Sequence, residues 1–120
     1  MKSLGTLLII LFSSLIQYQQ TAIVYEFVKA AVEEGHEVTV FCDLDAVYNL
    51  MVNQISSDHK TPKNIAKLIP KGVHFLVCME SARLRGIDSK KALIKGAIES
   101  SLGELALLMD QSDRVVAFSF

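Results

Sequence analysis

Four short runs built almost entirely from Val, Ile, Leu, Phe and their neighbours constrain this chain more than anything else in it. They are Thr6 to Leu11, Glu37 to Cys42, Val73 to Cys78 and Arg114 to Phe118. None shows the clean apolar-polar alternation of a strand with one wet face. Near-continuous apolar strands are what a parallel sheet requires when helices cover both of its faces. Parallel neighbours must be joined by crossovers of a dozen or more residues, usually helical. The expectation is therefore an α/β domain.

The intervening segments fit that reading. Gln19 to Glu34 carries Ile23, Val24, Phe27, Val28 and Ala31 on one helical stripe, with Glu26, Lys29 and Glu33 turned elsewhere, and Gly35 ends it. Asp43 can cap a short helix in which Leu44, Val47, Tyr48 and Met51 share a face. The polar stretch Asn53 to Lys60 reads as a loop. Thr61-Pro62 supplies an N-cap and a proline at the first helical position, and Pro70-Lys71-Gly72 closes that helix. Glu80 to Leu84 forms a short helix closed by Gly86, and Ser89 to Ile94 a further turn or two. Ser101-x-x-Glu104 has the form of a capping box and opens a helix with Leu102, Leu105, Leu108 and Met109 inward.

A chain of 120 residues has room for one core, so residues 1–120 are read as a single domain. Twelve basic against thirteen acidic residues provide no broad positive field, which argues against direct nucleic-acid binding. Near-neutral charge with 51% hydrophobic residues leaves apolar surface available for subunit contacts, and an oligomer is expected. Met1-Lys2 followed by Leu7 to Phe12 has the outline of a secretory signal, but no A-x-A-like cleavage site follows. The run is too short to span a bilayer and is read as the first strand of a β-α-β unit. Two cysteines, in no C-x-x-C pair and with no zinc-ligand spacing, fit a reducing, cytoplasmic setting.

Cys78 is the leading chemical candidate. It ends an apolar strand, and in open α/β sheets ligands gather outside the carboxyl ends of the strands. If a helix begins at Met79, its positive end together with Arg83 and Arg85 favours the thiolate, while Glu80 opposes it. The bland alternative is a buried, inert cysteine. Cys42 is followed by Asp43 and Asp45, which disfavour a thiolate, and is read as core. With a strand order of 2-1-3 the two cysteines stand roughly 9.5 Å apart, too far for a disulfide. His36 is read as a surface residue, His59 as a loop residue able to contact a partner or substrate, and His74 as a core histidine; they share no metal-ligand spacing. Asp43, Asp45, Glu80 and Asp88 are read as solvated caps and turns. No glycine-rich phosphate loop is present, so no nucleotide cofactor is expected.

These segments resemble the DsrE family of small sulfur-handling proteins, including TusD-like subunits of sulfur relay complexes. The likeness is carried by Glu33-Glu34-Gly35-His36-Glu37-Val38, by Asp45-Ala46-Val47-Tyr48-Asn49 and most specifically by Val77-Cys78-Met79-Glu80-Ser81-Ala82-Arg83-Leu84-Arg85-Gly86. Leu102-Gly103-Glu104-Leu105 and Asp113 through Phe118 complete it. The resemblance implies a flavodoxin-like three-layer α/β/α fold with a mostly parallel sheet of four to five strands. It also implies homo- or hetero-oligomers, as trimers or hexamers. It makes Cys78 the residue that receives sulfane sulfur as a persulfide and hands it to a TusA-like carrier protein or a DsrE-family paralogue. Arg83, Arg85, Ser81 and His59 are the residues expected to contact substrate or partner.

Overall fold

The structure, a computed structural model, describes residues 5–13, 20–51, 60–87 and 92–118. Five strands form one all-parallel sheet: β1 (Thr6–Leu11), β2 (Glu37–Cys42), β3 (His74–Cys78), β4 (Ile98–Ser100) and β5 (Arg114–Phe118). Their order across the sheet is β4-β3-β2-β1-β5. The run from Leu7 to Leu11, whose outline is that of a signal segment, lies inside the sheet between β2 and β5. Among the described residues no helix is long and apolar enough to cross a membrane.

Four α-helices connect the strands: α1 (Gln20–Glu33), α2 (Lys60–Leu68), α3 (Met79–Leu84) and α4 (Leu102–Gln111). The chain steps one strand at a time from β1 to β4, and right-handed crossovers keep α1, α2 and α3 on one face. Val24 and Val28 of α1, Ile65 and Leu68 of α2 and Ala82 of α3 meet Ile9, Val40 and Val77 there in the larger core. From β4 the chain runs back across the whole sheet to β5, which places α4, alone among the described helices, on the second face. Leu105 and Leu108 of α4, with Phe12, cover Leu8, Ile10, Phe41, Leu76 and Cys78.

Punctuation read from the sequence is present in the backbone. Gly35, Gly72 and Gly86 take left-handed φ values of 93°, 96° and 78° where α1, the α2 segment and α3 end. Ser101 caps α4, its side chain accepting from the Glu104 amide. Helix α2 begins at Lys60, so Thr61 lies inside its first turn instead of at the N-cap, and Pro62 is its third residue instead of its first. Residues 52–59, which include all but Lys60 of the stretch read as a loop, and residues 88–91 lie outside the described residues, and with them His59, Asp88 and the start of the turn expected from Ser89.

Three packing expectations are corrected. The segment after Asp43 is a 3-10 helix, Leu44–Leu50, not an α-helix. Side chains recur every three residues in that geometry, so Ala46 with Asn49 and Val47 with Leu50 are buried while Tyr48 faces out; Leu44, which opens the segment at φ 48°, is exposed as well. On α4 only Leu105 and Leu108 pack inward; Leu102 and Met109 are about half exposed, because one helix laid across a sheet makes a narrow contact. His74 stands exposed at the amino end of β3, outside the core.

Candidate functional site

The connection leaving β3 turns to the α3 face, and that leaving the adjacent β4 turns to the α4 face. Between two such strands the carboxyl ends open into a crevice, the usual ligand position of open α/β sheets. Cys78 ends β3 here and is the residue preceding α3, with φ −70° and ψ 108°. Its register partner is Ser100, the last residue of β4. A crevice of about 360 Å³ lies at this point, lined by Glu80, Arg83, Glu99, Ser100, Ser101 and Glu104 among others. A larger cavity of about 480 Å³ lies at the opposite end of the sheet, against Thr6, His36 and Asp113, and has no cysteine in its wall.

Cys78 is fully buried and does not itself line the crevice. It belongs to the second-face core with Leu8, Ile10, Phe41 and Leu76, against which Phe12, Leu105 and Leu108 pack. Cys42 is also fully buried. Burial, and secondarily the neighbouring Asp43 carboxylate, push its thiol up to about 12. The strand order 2-1-3 does not hold: β2 and β3 are adjacent, with Cys42 opposite Val77. One residue of offset turns Cys42 and Cys78 to opposite faces, where they belong to separate cores. They are free thiols, kept apart by the pleat of the sheet instead of by an intervening strand.

The sequence segment Cys78 to Arg85 is tied to the end of β2. Ser81 Oγ donates to Asp43 Oδ1 at 2.6 Å, and the Leu44 amide donates to Asp43 Oδ1 at 2.8 Å and to Ser81 Oγ at 3.1 Å. These bonds hold Leu44 at φ 48°, a left-handed conformation that costs a side-chain-bearing residue about 1–2 kcal/mol. Arg85 Nε donates to Asp45 Oδ1 at 2.8 Å, and its Nη1 to the Ser81 carbonyl at 3.1 Å. Ser81 and Arg85 are therefore engaged within the chain, whereas Arg83 is exposed on the crevice wall. Glu80, Glu99 and Glu104 are exposed beside it, so the rim is net acidic. Among the described residues no group of His, Cys, Asp and Glu is arranged to hold a metal.

Ser100 was not legible in the sequence as a site residue. It is 8% exposed, and its Oγ has no hydrogen-bond partner. Only the pairing of β4 with β3 brings it beside Cys78, and β4 itself is three residues long.

The DsrE/DsrF-like family model matches residues 6–118, nearly the whole chain. The chain belongs to the DsrE/DsrF-like family. Solved structures with the same fold include the ychN protein from E. coli, 20% identical, with a TM-score of 0.73 and 98% of this chain and 100% of that one covered. MTH1491 from Methanobacterium thermoautotrophicum, a protein of unknown function, is 14% identical with a TM-score of 0.79 over 95% and 99% of the two chains. BT1422 from Bacteroides thetaiotaomicron, also of unknown function, is 13% identical with a TM-score of 0.68 over 93% and 94%. No curated protein matches the chain. At these identities the neighbours establish the α/β architecture of the family member.

Proposed function

We propose that this DsrE-family protein is a cytoplasmic sulfur-relay subunit that holds sulfane sulfur as a persulfide on Cys78 and passes it to a partner protein. The observation that carries the reading is the position of Cys78, at the carboxyl end of β3 beside the crevice where chain direction reverses. A thiolate there can attack the outer sulfur of a donor persulfide, and the resulting linkage is open to attack by an acceptor thiol. Cys78 is fully buried in a core that Phe12 and the α4 residues Leu105 and Leu108 cover, so loading in this reading goes with a movement of that cover.

The acceptor in this reading is a TusA-like carrier or a DsrE-family paralogue. Exposed Leu102, Leu107 and Met109 on α4, with Val115 on one edge strand and Ile98 on the other, give like chains an apolar surface on which to assemble as trimers or hexamers. Among the described residues lining the crevice, Arg83 is the cation able to meet a partner; the acidic rim beside it favours a partner with a basic docking surface.

A second reading is a non-catalytic subunit that assembles with a paralogue or binds a small ligand. The complete burial of Cys78 favours it. Intact-mass measurement after exposure to polysulfide separates the two. A sulfur adduct on the wild type, removed by reductant and absent from Cys78→Ala, supports the relay. An unmodified protein, or one modified equally in the variant through Cys42, leaves the non-catalytic subunit standing.

A further inference from the structure

Three features converge where β3 and β4 end. Cys78 and Ser100 are register partners in a parallel pair, so their side chains leave the same face from strands about 4.8 Å apart. Ser100 is more than nine-tenths buried, lines the crevice and has a hydroxyl with no partner. Buried hydroxyls are ordinarily satisfied, and an orphan calls for an explanation. The next residue, Ser101, caps the ten-residue helix α4 and already serves the Glu104 amide. The amides of Leu102 and Gly103 belong to the first turn, which a helix leaves without internal acceptors. At Gly103 an added Cβ would meet only Ser101 Oγ, at 3.8 Å, so the backbone there is open to a ligand.

We propose that Ser100, with the positive amino end of α4, is the receiving site for the outer sulfur of a persulfide on Cys78. The proposal rests on the relay reading and assigns its anion-holding group. The Cys78 thiolate attacks the outer sulfur of a donor R–S–SH. A new S–S bond forms to Cys78 as the donor's S–S bond breaks, and R–S⁻ leaves with the bonding pair. It takes the proton from the transferred sulfur, so the products are Cys78–S–S⁻ and R–SH, with no net oxidation. The outer sulfur lies one S–S bond, about 2.05 Å, beyond Sγ. That extension carries the negative charge into the gap toward Ser100, whose O–H donates to it.

The acidic rim sharpens the assignment. Glu80, Glu99 and Glu104 oppose a free anion diffusing in from solvent, with only Arg83 to compensate. They do not prevent a charge from being delivered covalently beneath them. The site is therefore one for a bound persulfide and not for a small sulfur oxyanion.

The test compares wild type, Ser100→Ala and Ser100→Thr, each loaded with excess polysulfide and desalted. Persulfide is counted by intact mass, and its alkylation rate is followed across the acid and neutral pH range. Loss of a charge-assisted hydrogen bond should move the acid limb of Ser100→Ala up by about one pH unit, while Ser100→Thr keeps the wild-type profile. Ser100→Gly, which also lacks the hydroxyl, gives the same reading should Ser100→Ala fail to fold. An unmoved acid limb overturns the Ser100 site while loaded Cys78 leaves the relay standing. Absence of any adduct on wild-type Cys78 removes both.

Discussion

Thr6 and Asp113, 107 residues apart, grip each other at the amino ends of β1 and β5. Asp113 Oδ2 accepts from the Thr6 amide at 2.8 Å and from Thr6 Oγ1 at 3.0 Å, and the Asp113 amide donates to Thr6 Oγ1 at 2.9 Å. The backbone bond from Thr6, then the Thr6 hydroxyl, and more weakly Arg114, hold the Asp113 carboxyl below its usual range of 3.8. A depressed carboxylate contributes stability that is present above its unfolded value and lost as pH falls through the folded one. Asp113→Asn should therefore flatten the acid limb of a plot of urea midpoint against pH. Parallel wild-type and variant curves would show that the clasp contributes nothing.

Cys42 gives an alkaline counterpart. Its thiol is raised from 9.0 to about 12 in the folded chain, so the folded state retains a proton that the unfolded state releases first. The resulting stability is complete below the unfolded value and lost as pH rises from there toward about 12. Cys42→Ala should weaken this alkaline decline while costing about 1 kcal/mol for the small cavity it leaves. Native-state titration with a thiol reagent near neutral pH should leave Cys42 unlabelled.

Arg83 and Arg85 should separate cleanly. Arg85 pairs with Asp45 in a partly exposed setting, with side chains 22% and 37% accessible, and such pairs are worth less than about 1 kcal/mol after solvent screening. Arg85→Gln should lower stability by a few tenths of a kcal/mol, an effect that shrinks in high salt. Arg83→Gln should leave stability within about 0.5 kcal/mol of wild type and instead slow transfer to an acceptor. Urea unfolding and a transfer assay read the two effects independently; equal stability losses would deny the distinction.

Leu105 and Leu108 are the α4 side chains packed on the core that holds Cys78. Leu105→Ala or Leu108→Ala should cost about 1–2 kcal/mol, less than a fully buried leucine because both are only partly buried. Each should speed alkylation of Cys78 severalfold by loosening its cover. If Cys78 labelling stays at the wild-type rate while stability falls, α4 is not what controls access.

Four of the five strands were legible because β-branched and apolar residues run through them without a break. The fifth, β4, is Ile98-Glu99-Ser100, with one apolar residue in three, and nothing local marks it. Strand order was not legible either, since no short-range pattern says whether β3 joins β1 or β2. That is why the cysteines were separated correctly but for the wrong geometric reason. Cys78 could be singled out by its place at a strand end, whereas Ser100 depends on pairing with β3, 22 positions back along the chain. Arg85 read as a free cation because its partner Asp45 lies 40 residues away. The exposed Tyr48 was misplaced by applying an α-helical period to a 3-10 segment, and the exposed Leu44 by a left-handed backbone that no sequence period marks.

The return of the chain from β4 across the sheet to β5 makes the cover of Cys78 a late element of the chain. Everything that builds the sheet up to β4 precedes residue 101, and the only described helix on the second face comes after it. A chain cut short before residue 101 lacks the α4 that covers the core of Cys78, whereas Cys42 faces the side built by α1 and α2. Residues 101–118 thus decide whether this thiol is withdrawn from the redox chemistry of its surroundings.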